Sequence, residues 1–219
     1  MHNKTMEVFD IPNVTIIRDC CLYRNVKLKH LYAKKVREIG CQFLMFNKNL
    51  TELDLPNLNT VDNDFISFNN SIFQINLPKL QFIGSRFLRD NYSLKVVDLP
   101  SAKIIGFNFL FQNTNLKELY LPKAEIIMSS CLCYNNTLEK LNIANVREIG
   151  DYCFEQNQTL TSLYMPSVER IGGYFFQINN KLKQVTIPNT VEISPKTSLN
   201  KPNCTITYIY VKKDLSKEL

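Results

Sequence analysis

Apolar side chains return along this chain every 22 residues. Starting from Leu28, equal steps of 22 reach Leu50, Ile72, Leu94, Leu116, Leu138, Leu160 and Leu182 with no insertion or deletion. One step back lands on Met6, so residues 6–203 form nine 22-residue units, the last one degraded. A fixed period of this length marks a repeat architecture. Within a unit, position 4 is always apolar (Leu31, Val97, Leu119) and so is position 6 (Leu55, Leu99, Leu121). Position 12 is Ile or Val in all nine units, from Ile17 to Ile193. Position 16 is Phe43, Phe65, Phe87, Phe109 or Phe175, with Cys21, Cys131 and Cys153 as smaller substitutes.

Local structure follows from these phases. Alternation at positions 4 and 6 is strand period, which predicts a strand of about four residues over positions 3–6. Proline holds position 7 in seven of nine units (Pro12 to Pro188); it lacks an N–H and is expected to end the ladder. Five of six glycines hold position 13 (Gly40, Gly84, Gly106, Gly150, Gly172), which predicts a corner with positive φ. Positions 16 and 17 would turn inward on a short helical or 3₁₀ piece.

Stacking such units would place like residues over like and merge positions 1, 4, 6, 9, 12, 16 and 17 into one core. Burying a large apolar side chain contributes roughly 1.5–3 kcal/mol, so one unit cannot offset its chain entropy but a stack can. Parallel stacking at ~4.8 Å predicts a rod of about 40 Å.

Position 20 is asparagine in eight units: Asn25, Asn47, Asn69, Asn91, Asn113, Asn135, Asn157 and Asn179. Four of these (Asn69, Asn91, Asn135, Asn157) begin N-x-S/T glycosylation sequons. Asn47, Asn113 and Asn179 persist without one, so a modification signal does not explain the column. An inward amide that hydrogen-bonds the backbone of neighbouring coils does.

The run from Leu94 to Phe109 (L-x-x-φ-x-L-P-x-φ-x-x-I-G-x-x-F) resembles the BspA-type leucine-rich repeat, over about 90% of the chain taken as the nine units of the period. The commonest leucine-rich pattern has Asn or Cys three residues after the third leucine. Here that place is apolar (Leu58, Ala102, Ala124), and the asparagine instead precedes the first leucine by three. The resemblance implies an α/β-type leucine-rich repeat solenoid: a curved right-handed coil, strand-rich, with a concave parallel sheet and a short 3₁₀ or irregular convex side. It also implies a non-enzymatic binding or adhesion role and, in many members, a cell-surface location with a signal or anchor.

The chain is expected to be one solenoid domain, with residues 204–219 as a C-terminal cap strand and charged tail. Unit nine loses the signature (Ser194 for glycine, Thr197 for the aromatic), and Thr205 to Val211 alternates as an edge strand. At the other end only Met1 to Thr5 precede unit one. Either that unit caps itself, or the end meets another chain, self-association included, or the chain is a piece of a longer protein.

Charge and composition narrow the chemistry. On the expected concave strand, positions 3 and 5 point outward. Candidate binding residues there are Tyr32, Asp54, Asn76, Asp98, Glu118, Tyr120, Asn142 and Tyr164, centred on Asp98, Tyr120, Asn142 and Tyr164. Tyrosine buries much contact area at low entropy cost. These two positions carry five carboxylates against one lysine, although the chain is +6 overall. A protein or peptide partner fits such a face; an adhesin or glycan-binding segment, with sugars stacked on Tyr120 and Tyr164, is the alternative. Nucleic acid is not expected, because phosphates would meet this acidic stripe. With two histidines and no CxxC among seven cysteines, neither metal site, cofactor nor catalysis is expected; His30 beside Glu52 reads as a surface pair. Cys21, Cys131 and Cys153 read as buried core residues. No apolar run reaches the ~18 residues of a membrane span, and Met1 to Thr5 lack the layout of a signal peptide. Unpaired cysteines weakly favour a reducing, cytoplasmic compartment; the resemblance allows the cell surface if the chain is a fragment.

Overall fold

The computed structural model describes residues 5–200 and 203–211. The expected tail from Lys212 to Leu219 and residues Met1 to Lys4 lie outside them. Each unit forms one rung of a strand-rich parallel β-solenoid. Residues 22 apart lie side by side: Val8 beside His30, Phe9 beside Leu31, Asp10 beside Tyr32. The constant period produces this register, because any slip would turn an apolar set out of the core.

Every rung contributes two short strands. The first row occupies positions 3–5, as in His30–Tyr32, Val96–Asp98 and Glu118–Tyr120. It is one residue shorter than expected in rungs one to eight. In rung nine the strand lengthens to Gln184–Pro188 and runs through the proline. Thr205–Ile209 then pairs parallel to it, adding a final strand where the sequence predicts a cap. This row is not one continuous sheet. It divides into three, breaking between Glu52–Asp54 and Gln74–Asn76 and again between Lys140–Asn142 and Ser162–Tyr164.

The second row is absent from the sequence-based expectation. Two-residue strands at positions 11–12, from Ile16–Ile17 to Glu192–Ile193, form one unbroken nine-stranded sheet. Position 12 turns its β-branched side chain inward, and position 11 turns outward by the strand alternation. Flanking peptides extend the ladder: Arg37 N–H reaches Thr15 O at 2.8 Å and Gly40 N–H reaches Ile17 O at 2.9 Å.

Two corner expectations are corrected. No described glycine has positive φ. Where glycine holds position 13 it permits close approach instead: a Cβ on Gly106 would lie 2.5 Å from the carbonyl carbon of Gly84 in the rung before. The left-handed residues are non-glycines at positions 15 and 19 of the first eight rungs, such as Asn108 and Gln112, and at position 17 in four (Leu88, Leu110, Leu132, Phe154).

Nor is there a helical or 3₁₀ piece among the described residues. The left-handed residues at positions 15 and 19 turn peptide groups of this segment along the stack. Cys20, Leu22 and Arg24 N–H accordingly bond Cys41, Phe43 and Met45 O of the next rung. Each left-handed residue costs about 1–2 kcal/mol, and the inter-rung hydrogen bonds of an otherwise unpaired backbone offset it. Where position 17 is itself left-handed, the preceding peptide turns over. Leu110, Leu132 and Phe154 N–H bond Phe87, Phe109 and Cys131 O of the rung before.

The core is a set of vertical columns. Phe43, Phe65, Phe87 and Phe109 are fully buried and stack ring on ring, with centroids 5.6–6.0 Å apart. Cys131 and Cys153 continue that column, as the sequence predicts. Cys21 does not: it is exposed, because in rung one no earlier rung among the described residues covers the core. Met6, Phe9 and Ile11 are only partly buried for the same reason.

Candidate functional site

The eight candidate binding residues all lie on the outer side of the first strand row, and each is partly buried or exposed. Their backbone partners on the same strands, such as Leu31, Val97 and Leu119, are fully buried. The three-way division of the row separates them. Tyr32 lies beside Asp54 on the first sheet. Asn76, Asp98, Tyr120 and Asn142 lie side by side across the four strands of the second. Tyr164 stands on the third, beside Thr186, and is 59% exposed.

Hydrogen bonding holds two of the tyrosines in place. Tyr120 OH donates to Glu118 Oε2 at 2.7 Å, and Lys140 Nζ donates to Glu118 Oε1 at 2.8 Å. The Lys140 ammonium, then the phenol, hold the Glu118 carboxyl below its ordinary range, while the bond to Glu118 raises the Tyr120 phenol. A parallel group forms on the first sheet: Tyr32 OH donates to Glu52 Oε2 at 2.8 Å, which also meets His30 Nδ1 at 3.0 Å. Glu52 raises the Tyr32 phenol likewise. His30 and Glu52 are thus a surface pair, both partly exposed, with the His30 ring stacked parallel to Tyr32.

The asparagine column lies on the opposite side of the chemistry, inside. Asn47, Asn69, Asn91, Asn113, Asn135, Asn157 and Asn179 are between 0% and 3% exposed. Each Nδ2 donates to the position-17 carbonyl of the rung before, for example Asn113 to Leu88 O and Asn135 to Leu110 O, both at 2.9 Å. Backbone N–H groups of Asn69, Asn91 and Asn113 donate in turn to Oδ1 of Asn91, Asn113 and Asn135. In the folded chain all four sequon asparagines are therefore buried and bonded.

The thiols divide by burial. Desolvation pushes Cys133 up to about 12 and Cys153 well above the ordinary thiol value, which suppresses their thiolates at neutral pH. Cys20 and Cys21 are exposed. Among the described residues no three His, Cys, Asp or Glu side chains gather into a group that could hold a metal ion. No helix among them is long and apolar enough to cross a membrane.

The second strand row carries a surface that sequence reasoning missed. Because position 13 is mostly glycine, the outward side chains of position 11 border an open trough. One cavity of about 460 Å³ runs over rungs one to five, lined by Glu38, Thr60, Phe82 and Ile104 among others. A second, of about 430 Å³, continues over rungs six to nine past Ile126, Glu148 and Arg170. The available signal was the β-branched column at position 12, whose neighbour at position 11 had to face out.

A family model described as the BspA type leucine-rich repeat region, in six copies, matches residues 2–109 and 103–217. The chain belongs to this family. Its two strand rows and buried asparagine column are the form that BspA-type repeats take here. A solved leucine-rich repeat protein from Bacteroides ovatus shares the fold with a TM-score of 0.66 at 19% identity. That match covers 84% of this BspA-type chain and 56% of the Bacteroides protein, so the chain spans little more than half of its neighbour's length. The pneumococcal vaccine antigen PcpA is matched at a TM-score of 0.44 and 15% identity, over 90% of this chain and 72% of the antigen. No curated protein matches the sequence.

Proposed function

We propose that this repeat region is a non-catalytic scaffold that binds a partner protein or peptide on the outer face of the first strand row, centred on Asp98, Tyr120, Asn142 and Tyr164. The observation that carries the reading is the in-register row of Asp98, Tyr120 and Asn142 on adjacent strands, facing outward. Tyr120 is held by Glu118 and Lys140 before any partner arrives, so little side-chain freedom remains to be lost on contact. Family membership supports a repeat scaffold.

The test is a displayed peptide library selected on the intact chain. Binders should be lost when Asp98→Ala, Tyr120→Ala and Tyr164→Ala are combined, with the thermal melting point unchanged. Retained binding removes the assignment of this face. The exposed ring of Tyr164 favours a second reading, sugar stacking in an adhesin. A glycan array on which binding is retained by Asp98→Ala but lost in Tyr164→Ala would select it.

A further inference from the structure

The trough along the second strand row brings apolar and acidic side chains together. Its outward column reads Ile16, Glu38, Thr60, Phe82 and Ile104, each in register with the next. Ile16 and Phe82 are 44% and 43% exposed, although both are large and apolar. With Ile104 beside Phe82 on the next strand, they give the trough apolar surface at both of its ends.

The charges of the same trough are unbalanced. Asp19, Glu38 and Asp62 line it against a single cation, Arg18, on a chain that is +6 overall. None of these three carboxylates forms an ion pair among the described residues. Asp19 and Asp62 accept backbone N–H groups, of Cys41 at 2.8 Å and of Asn63 at 2.7 Å. In the second trough Glu148 is paired with Arg170, which leaves an excess of one carboxylate, Glu192. The first trough therefore keeps an excess of two carboxylates over its one cation, next to exposed apolar side chains.

We propose that the trough of rungs one to five binds an extended peptide segment of another protein, with a basic residue at Glu38 and an apolar residue between Phe82 and Ile104. Rungs stack at ~4.8 Å, so Phe82 and Ile104 stand about 10 and 14 Å along the stack from Glu38. An extended chain advances about 3.3 Å per residue, and residues i and i+4 face the same side about 13 Å apart. The recognised segment accordingly has lysine or arginine four residues from a leucine-sized side chain, in either direction. This site is separate from Tyr120 and Tyr164 and does not depend on the role proposed for them.

A displayed library of random decapeptides, selected on the intact chain, tests this. The expected result is enrichment of a basic and an apolar residue four apart. Binding of a synthesised, labelled winner should weaken tenfold or more in Phe82→Ser and in Glu38→Lys. Replacing the basic residue of that peptide by glutamate should restore binding to Glu38→Lys alone, which a general loss of folding cannot do. Tyr120→Ala and Tyr164→Ala should leave this binding unchanged; loss in those variants places the peptide on the other face and overturns the proposal. Enrichment of no peptide, or of peptides indifferent to Phe82→Ser, overturns the proposal. So does Phe82-dependent self-association in sedimentation equilibrium without peptide binding, which would make a second copy the occupant.

Discussion

Asn113 donates its backbone N–H to Oδ1 of Asn135 at 3.0 Å, one rung away and fully buried. The same Asn113 accepts from Asn91 and donates through Nδ2 to Leu88 O. One side chain thus serves two neighbouring backbone groups that no strand partner reaches. Removing it orphans both. Asn113→Ala should destabilise the chain by about 2–5 kcal/mol, since each unsatisfied buried group costs about 1–3 kcal/mol. Asn115→Ala, which loses only an exposed bond to Tyr92 O, should cost less than about 1 kcal/mol. Urea denaturation of the two variants makes the comparison.

The phenylalanine column gives a second expectation. Phe109 is fully buried and stacks on Phe87 at 5.9 Å. Phe109→Ala should cost about 3–5 kcal/mol. A measured loss below about 1 kcal/mol would refute close packing at this phase.

Glycine at position 13 predicts a contrast between two sites. The Cβ of Gly106→Ala would meet backbone atoms of Gly84 at 2.5 and 2.6 Å, which cannot move without shifting a rung. At Gly173 the nearest neighbour is Lys196 Cβ at 3.1 Å, on a side chain that can give way. Gly106→Ala should therefore lose about 1–3 kcal/mol of stability in thermal unfolding, as overpacking does, and Gly173→Ala clearly less.

Tyr120 supplies a pH signature. Its phenol titrates above the ordinary value of 10.0 because Glu118 accepts its proton in a hydrogen bond. Whatever stability this bond supplies is present below the unfolded tyrosine value and is lost as pH rises through the higher folded one. For Glu118, whose folded value is lowered, the contribution is present above the unfolded carboxyl value and is lost as pH falls through the folded one. Glu118→Gln should lower the Tyr120 midpoint in an ultraviolet titration. An unchanged midpoint would show that the pair does not form in solution.

Thiol labelling separates the cysteines. In the native chain iodoacetamide should modify Cys20 and Cys21, which are exposed, and leave Cys131, Cys133 and Cys153 untouched. Adding denaturant should make all of them react, as mass spectrometry would read. Rapid native labelling of Cys133 would contradict its burial and its raised value.

The sequence by itself determined the period, the register and the inward columns. Insertion-free steps of 22 residues leave one way to superpose Leu94 on Leu116 and Phe87 on Phe109, and a slip would expose both. It also determined that the asparagines have a structural role, because Asn113 recurs without a sequon. The corners were decided only in three dimensions. Glycine at position 13 is compatible with positive φ or with close backbone approach, and the contact between Gly106 and Gly84 belongs to two rungs at once. The left-handed backbone at Asn108 and Gln112 has no compositional mark, because inter-rung hydrogen bonds impose it from outside the local sequence. The second strand row was hidden for the same reason: two residues such as Ile104 and Ile105 are too short to show a period, and only stacking nine of them makes a sheet. The trough with Glu38 and Phe82 is a consequence of that stacking, joining residues 44 positions apart in the chain that a linear reading has no cause to compare.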